Sequence, residues 1–218
     1  MLKKCAAEYI GTFVLVFAGT SAIVVNDLSG GIITHVGIAM VFGLVVASVI
    51  YTIGDISGAH INPAVTIAFW YAKRFPGEAV VPYLSSQVLG ALSASILVYG
   101  LFVSHGTLGA TLPTGSQSQS FILELVLTFI LMLTIINVAT GAKEKGIMAG
   151  VAIGSVVGLE ALFAGPISGA SMNPARSIGP ALVSGNLKDL WLYIAAPIFG
   201  AWLAILCCRC IREEECCR

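Results

Sequence analysis

The sequence predicts an all-α membrane protein with six transmembrane helices plus two re-entrant half-helices, arranged as an inverted 3+3 repeat. Three observations predict it: a composition too apolar for a soluble surface, six long apolar runs, and one short motif that occurs twice. Of 218 residues, 57% are apolar and only 10% charged, and mean hydropathy is +0.95. A soluble domain carries roughly a quarter charged residues, so this chain cannot wet a globular surface, and lipid is its natural solvent. A spanning helix takes about 20 apolar residues, which leaves room for six crossings and none for a second, soluble domain. Residues 1–218 therefore read as a single domain, with repeat one at about 1–104, repeat two at about 119–211 and a short cysteine-rich tail over 207–218. Formal charge is zero, so nothing points to nucleic acid as a partner. No metal cluster or phosphate loop is evident, so no cofactor is implied.

Apolar stretches between turn-forming residues place helices at 5–25, 34–54, 79–104, 119–140, 147–164 and 189–211. The first follows Lys3 and Lys4 but contains Glu8 and no small-residue cleavage site, so it reads as a retained helix. Two connectors stand out. SGAHINPAVTIAFWYAKRFPGE (57–78) and GPISGASMNPARSIGPALVSGNLKD (165–189) are too apolar for loops in water and too short to span. Basic residues remain on the cytoplasmic side. Nine of the eleven, Lys3, Lys4, Lys73, Arg74, Lys143, Lys145, Arg209, Arg212 and Arg218, fall at the termini and the second and fourth connectors. That bias places both termini in the cytoplasm and fits a plasma (inner) membrane protein.

The halves echo each other. AEYIGTFVLVF (7–17) resembles LELVLTFILML (123–133), and SGAHINPAVT (57–66) resembles SGASMNPARS (168–177). Three spans per copy is an odd number, so the second copy enters from the opposite face. Such repeats place their functional site at the shared interface, on helices that stop halfway. In each copy an asparagine (Asn62, Asn173) is followed by a proline (Pro63, Pro174) and an alanine (Ala64, Ala175). That is a helix start, with asparagine as N-cap and proline where its missing donor costs nothing. Gly58 and Gly169 are expected to let an extended backbone run close to its neighbours. Irregular backbone at this depth is tolerated only in protein or along a watery cavity.

The duplicated Asn-Pro-Ala, with Arg176 directly after the second copy, resembles the major intrinsic protein family of aquaporins and glycerol channels over nearly the whole chain. SGAHINPAVT, FAGPISGASMNPARSIGPAL and LGATLPTG are most similar to the nodulin-like intrinsic proteins of plants and their bacterial relatives. The resemblance implies a passive channel for water and small uncharged solutes, excluding protons and ions, and a homotetramer with one pore per subunit. By distance from the matched motifs it implies a selectivity filter of Phe42, Ala161, Ala170 and Arg176. Water-selective members resemble one another in a histidine where this chain has Ala161. An aromatic, two methyls and a guanidinium make a wider, more apolar opening, suited to glycerol, urea or an undissociated hydroxide such as arsenous or boric acid. Ser177 and Ala181 instead resemble water channels, and Tyr193 and Ile194 match neither group.

Glu8 and Glu124 occupy equivalent points of the repeat, where an unpaired carboxylate costs several kcal/mol. The resemblance implies that they accept hydrogen bonds from the re-entrant loops, and that His60 braces its loop. The rival reading is a proton-coupled transporter using Glu8, Glu124 or Glu160; an enzyme is a weaker third, with no nucleophile and base in view. Glu160, beside Ala161, could face the pore mouth, another subunit or a neighbouring helix. Five of the six cysteines, Cys207, Cys208, Cys210, Cys216 and Cys217, crowd the C-terminal end, and Cys5 lies near the N-terminus. On the cytoplasmic side their thiols are expected to stay reduced.

Overall fold

The computed structural model describes residues 1–103, 105–139 and 147–211. Among these lie eight helices: α1 (Leu2–Leu28), α2 (Thr34–Ser57), α3 (Pro63–Tyr71), α4 (Gly77–Leu101), α5 (Gln117–Val138), α6 (Ala149–Ser168), α7 (Pro174–Ser184) and α8 (Leu190–Ile211). Six of them, all but the short α3 and α7, are long and apolar enough to cross a membrane. The expectations that concern Lys143, Lys145, Arg212, Arg218, Cys216 and Cys217 lie outside the described residues. Large side chains such as Leu44, Ile96, Ile122, Leu159 and Phe199 are exposed on the outward faces, as lipid or a neighbouring subunit requires. Trp70, Trp191 and Trp202 are also exposed there.

The helices match the six expected apolar runs, with one correction at the ends of α2 and α6. Both run on past the expected ends at residues 54 and 164, α6 straight through Pro166, and stop at Gly58 and Gly169. These glycines are not extended. They adopt φ of 89° and 86°, and their N–H groups donate to the carbonyls of Gly54 and Gly165. A left-handed glycine that closes the last turn in this way is a helix stop signal, and it turns the chain sharply into the half-helix that follows. The third spanning helix, α4, ends at Leu101 rather than 104.

Packing interlocks the repeats. Within each copy the first and last long helices pair, α1 with α4 and α5 with α8, while α2 and α6 pair across the two copies. Each half-helix packs chiefly on the last helix of the opposite copy, α3 on α8 and α7 on α4. Close approach depends on missing side chains at equivalent sites. A Cβ on Gly90 would collide with the carbonyl of Tyr9 in α1, and one on Gly200 with that of Leu125 in α5. Small residues are the usual device for bringing spanning helices together. Cys5, Cys207 and Cys210 are free thiols, as expected. Cys208 departs from that expectation, being disulfide-bonded.

Replacing Gly90 by alanine is expected to lower the thermal unfolding midpoint in detergent, equivalent to about 1–3 kcal/mol of overpacking. Gly100→Ala on the same helix, with no atom within 4 Å of the new Cβ, serves as the control and is expected to leave the midpoint unchanged or raised.

Candidate functional site

α3 and α7 point their N-termini at each other. Asn62 caps α3, its Oδ1 accepting from Ala64 N at 2.9 Å, and Asn173 caps α7, its Oδ1 accepting from Ala175 N at 3.0 Å. Each amide nitrogen reaches across to the other copy. Asn62 Nδ2 donates to the Met172 carbonyl and Asn173 Nδ2 to the Ile61 carbonyl, both at 2.8 Å. The two tips are thus tied by a reciprocal pair of hydrogen bonds. An amide nitrogen has two hydrogens, so one remains on each asparagine.

The segments leading to these caps are irregular and buried. Ala59 and Ile61 in one, and Ala170 and Met172 in the other, have φ between 42° and 54°, a left-handed conformation that costs about 1–3 kcal/mol for each non-glycine residue. Two carboxylates hold them. Glu8 Oε1 accepts from His60 N at 2.9 Å and from Ser57 Oγ at 2.7 Å. Its Oε2 accepts from Ile61 N at 2.7 Å and Gln87 Nε2 at 2.8 Å. Glu124 repeats the pattern with Ser171 N and Ser168 Oγ on Oε1 and Met172 N on Oε2, all within 2.8 Å. Hydrogen bonds to a charged group contribute about 1.5–3 kcal/mol each, enough to offset the strained backbone. His60 is buried, its ring stacked on Phe69 and in contact with Phe75 and Tyr83, and its Nδ1 lies 3.1 Å from Thr66 Oγ1.

Tyr83 and Tyr193 complete the frame. Tyr83 donates to the Ser57 carbonyl at 2.9 Å and Tyr193 to the Ser168 carbonyl at 2.6 Å, closing the ends of α2 and α6 in both copies. Sequence reasoning missed Tyr83, Gln87, Ser57 and Ser168 as frame residues. The two tyrosines stand at equivalent points of the repeat, and that periodicity is the signal that could have found them.

A cavity of about 550 Å³ lies at the centre, between the two copies. Tyr51, Asp55 and Ile147 line one end; Asn62 and Asn173 lie midway; Phe42, Ala161, Ala170 and Arg176 lie toward the other end. All four positions singled out by the resemblance therefore share one wall system. Arg176 is buried, its Nη1 donates to the Gly109 carbonyl at 2.8 Å, and its Cζ lies 5.1 Å from the centre of the Phe42 ring. Its Nε has no acceptor among the described residues. Neither Glu8, Glu124 nor Glu160 lines the cavity. Glu160 is buried, and neither of its oxygens has a partner among the described residues. Of the orientations open to it, lining of the cavity is not the one it takes, since Ala161 is in the cavity wall and Glu160 is not.

The sequence pattern of the major intrinsic protein family matches residues 1–207. The chain belongs to the major intrinsic protein family. It is 48% identical to aquaporin NIP3-1 of Arabidopsis thaliana over 92% of its own length, and spans 64% of that relative. It is 47% identical to nodulin-26 of Glycine max, again over 92% of its length and 74% of the relative's. The aquaglyceroporin of Plasmodium falciparum has the same architecture, with a TM-score of 0.79, 28% identity and 93% of each chain covered. These relatives of the major intrinsic protein family are transport proteins, not enzymes.

Replacing Glu124 by glutamine puts an amide NH2 against the backbone N–H of Ser171 or Met172, which can only donate. The expected result is a lower unfolding midpoint in detergent, by the equivalent of about 1–3 kcal/mol for each buried donor left unpaired. An unchanged midpoint would remove Glu124 from the bracing frame.

Proposed function

We propose that the chain is a passive channel for water and small uncharged solutes, with glycerol, urea and undissociated arsenous or boric acid as the candidate larger cargoes. The observation that carries this reading is one cavity lined by both asparagine tips and by Phe42, Ala161, Ala170 and Arg176. Coupled transport through Glu8, Glu124 or Glu160 fits less well, because Glu8 and Glu124 are bonded to loop groups and none of the three lines the cavity.

The N-terminal ends of α3 and α7 meet at the middle of this path, each equivalent to about half a positive charge. A cation or hydronium there meets a barrier, and a neutral solute does not. The free hydrogen on each asparagine is available to a passing oxygen, so a water at this point accepts from both sides and cannot relay a proton along the file. The carbonyls of Ala59, His60, Ala170 and Ser171 take no bond from described residues and supply acceptors on the approach. At the constriction Arg176 offers fixed donors and repels cations, Phe42 closes one side, and the methyls of Ala161 and Ala170 leave the width that a solute with several hydroxyls needs.

The same reading takes the chain as one channel domain that assembles as a homotetramer with one pore per subunit. It also puts both termini in the cytoplasm of a plasma (inner) membrane. The apolar outward faces and the basic residues Lys3, Lys4, Lys73, Arg74 and Arg209 support these assignments.

Stopped-flow swelling of reconstituted vesicles tests the proposal. Water and neutral-solute permeabilities are expected to rise well above those of empty vesicles and to ignore a proton gradient; uptake that depends on the gradient would favour coupling. Ala161→His is expected to slow glycerol more than water, and equal slowing would count against the constriction as assigned. Arg176→Ala is expected to admit protons or cations that the parent excludes, measured with a pH-sensitive dye trapped inside.

A further inference from the structure

We propose that His105, in the connector between α4 and α5, is a positioning residue for Arg176, and that its protonation releases the arginine. The proposal rests on the channel reading above. His105 Nδ1 accepts from the backbone N–H of Leu108 at 3.0 Å. A backbone N–H only donates, so Nδ1 is unprotonated and the ring hydrogen sits on Nε2, which donates to Asp27 Oδ2 at 3.1 Å. One imidazole thereby ties the end of α1 to the turn at 108–109.

That turn holds the arginine. Leu108 and Gly109 are consecutive left-handed residues, with φ of 51° and 70°. Leu108 is buried against Val24 and Val98, which anchors the turn, and Gly109 lies so close to Thr20 that a Cβ there would touch its backbone. The carbonyl presented by Gly109 is the acceptor of Arg176 Nη1. A left-handed pair containing leucine is strained, and the Leu108 N–H to His105 bond holds it in place. Protonation puts a hydrogen on Nδ1, facing the Leu108 N–H. The bond becomes a repulsion, the turn relaxes, and Arg176 loses its tether to the cavity wall. A guanidinium released from the wall swings into the lumen, where it obstructs a bulky solute more than water.

The groups around His105 set the balance. From α1 the facing charge is the Asp27 carboxylate, which is half-exposed and therefore screened. From the end of α4 the contact is the Phe102 carbonyl, and from the connector after α7 it is Asn186, bonded to the Gly106 carbonyl; both are neutral. Asp189 further along accepts from Gln117. Among the described residues only Asp27 forms an ion pair with His105.

The test measures the ratio of glycerol to water permeability in vesicles at equal pH on both sides, from about pH 7.5 to about pH 5.5, the range in which an unperturbed histidine changes charge. The parent is expected to lose about threefold or more of that ratio on acidification, the size of change a modest population shift gives. His105→Gln, which offers one acceptor and one donor and does not titrate, is expected to show a flat ratio. A flat ratio in the parent, or the same fall in His105→Gln, overturns the proposal. Vesicles that swell no faster than empty ones at any pH overturn the channel reading itself, a different failure.

Discussion

Two buried carboxylates make this structure feasible. A loop inside a bilayer has no water to satisfy its N–H groups, and each unsatisfied one costs several kcal/mol. Glu8 and Glu124 reach from α1 and α5 to the loops ahead of the half-helices and accept two backbone N–H groups each. The serines at the ends of α2 and α6 add a third bond on each carboxylate, and Gln87 adds a fourth on Glu8 alone. Once those N–H groups point at a glutamate, the adjoining carbonyls are left for the cavity. Strain, burial and polarity of the path thus follow from one pair of acceptors.

The duplicated scaffold is symmetric where it braces and asymmetric where it discriminates. Glutamate, serine, glycine, asparagine and tyrosine recur at matching points of both copies. The position after the motif holds Val65 in one and Arg176 in the other, and the loop holds His60 in one and Ser171 in the other. Both Val65 and Arg176 line the cavity, so only one half of the path carries a guanidinium. The reciprocal asparagine bonds add a further constraint, since each half-helix cap is completed by the opposite copy. Neither repeat presents a finished site alone.

Much of this was legible in the chain before any coordinates. Asn62 and Asn173 announce themselves because Asn-Pro is a strong helix start in an otherwise apolar connector, and the six spans because nothing else accommodates so little charge. Gly58 and Gly169 were misread, since a glycine in sequence shows only permission to adopt unusual backbone; their left-handed cap is chosen by the turn into the half-helix. Glu160 was ambiguous for a related reason. Adjacent residues on a helix point about 100° apart, so its neighbour Ala161 lining the cavity says nothing of where the carboxylate goes until the helices are packed.

The amino-acid sequence alone determined the solvent, the number of crossings, the inverted duplication and the two half-helix starts, because each is a property of local composition and spacing. Tertiary structure decided which donors each carboxylate accepts, that each asparagine gives one hydrogen to the other loop, and that Phe42, Ala161, Ala170 and Arg176 line one cavity. Those contacts join residues tens to more than a hundred positions apart, and no local pattern encodes a distance that only helix packing sets.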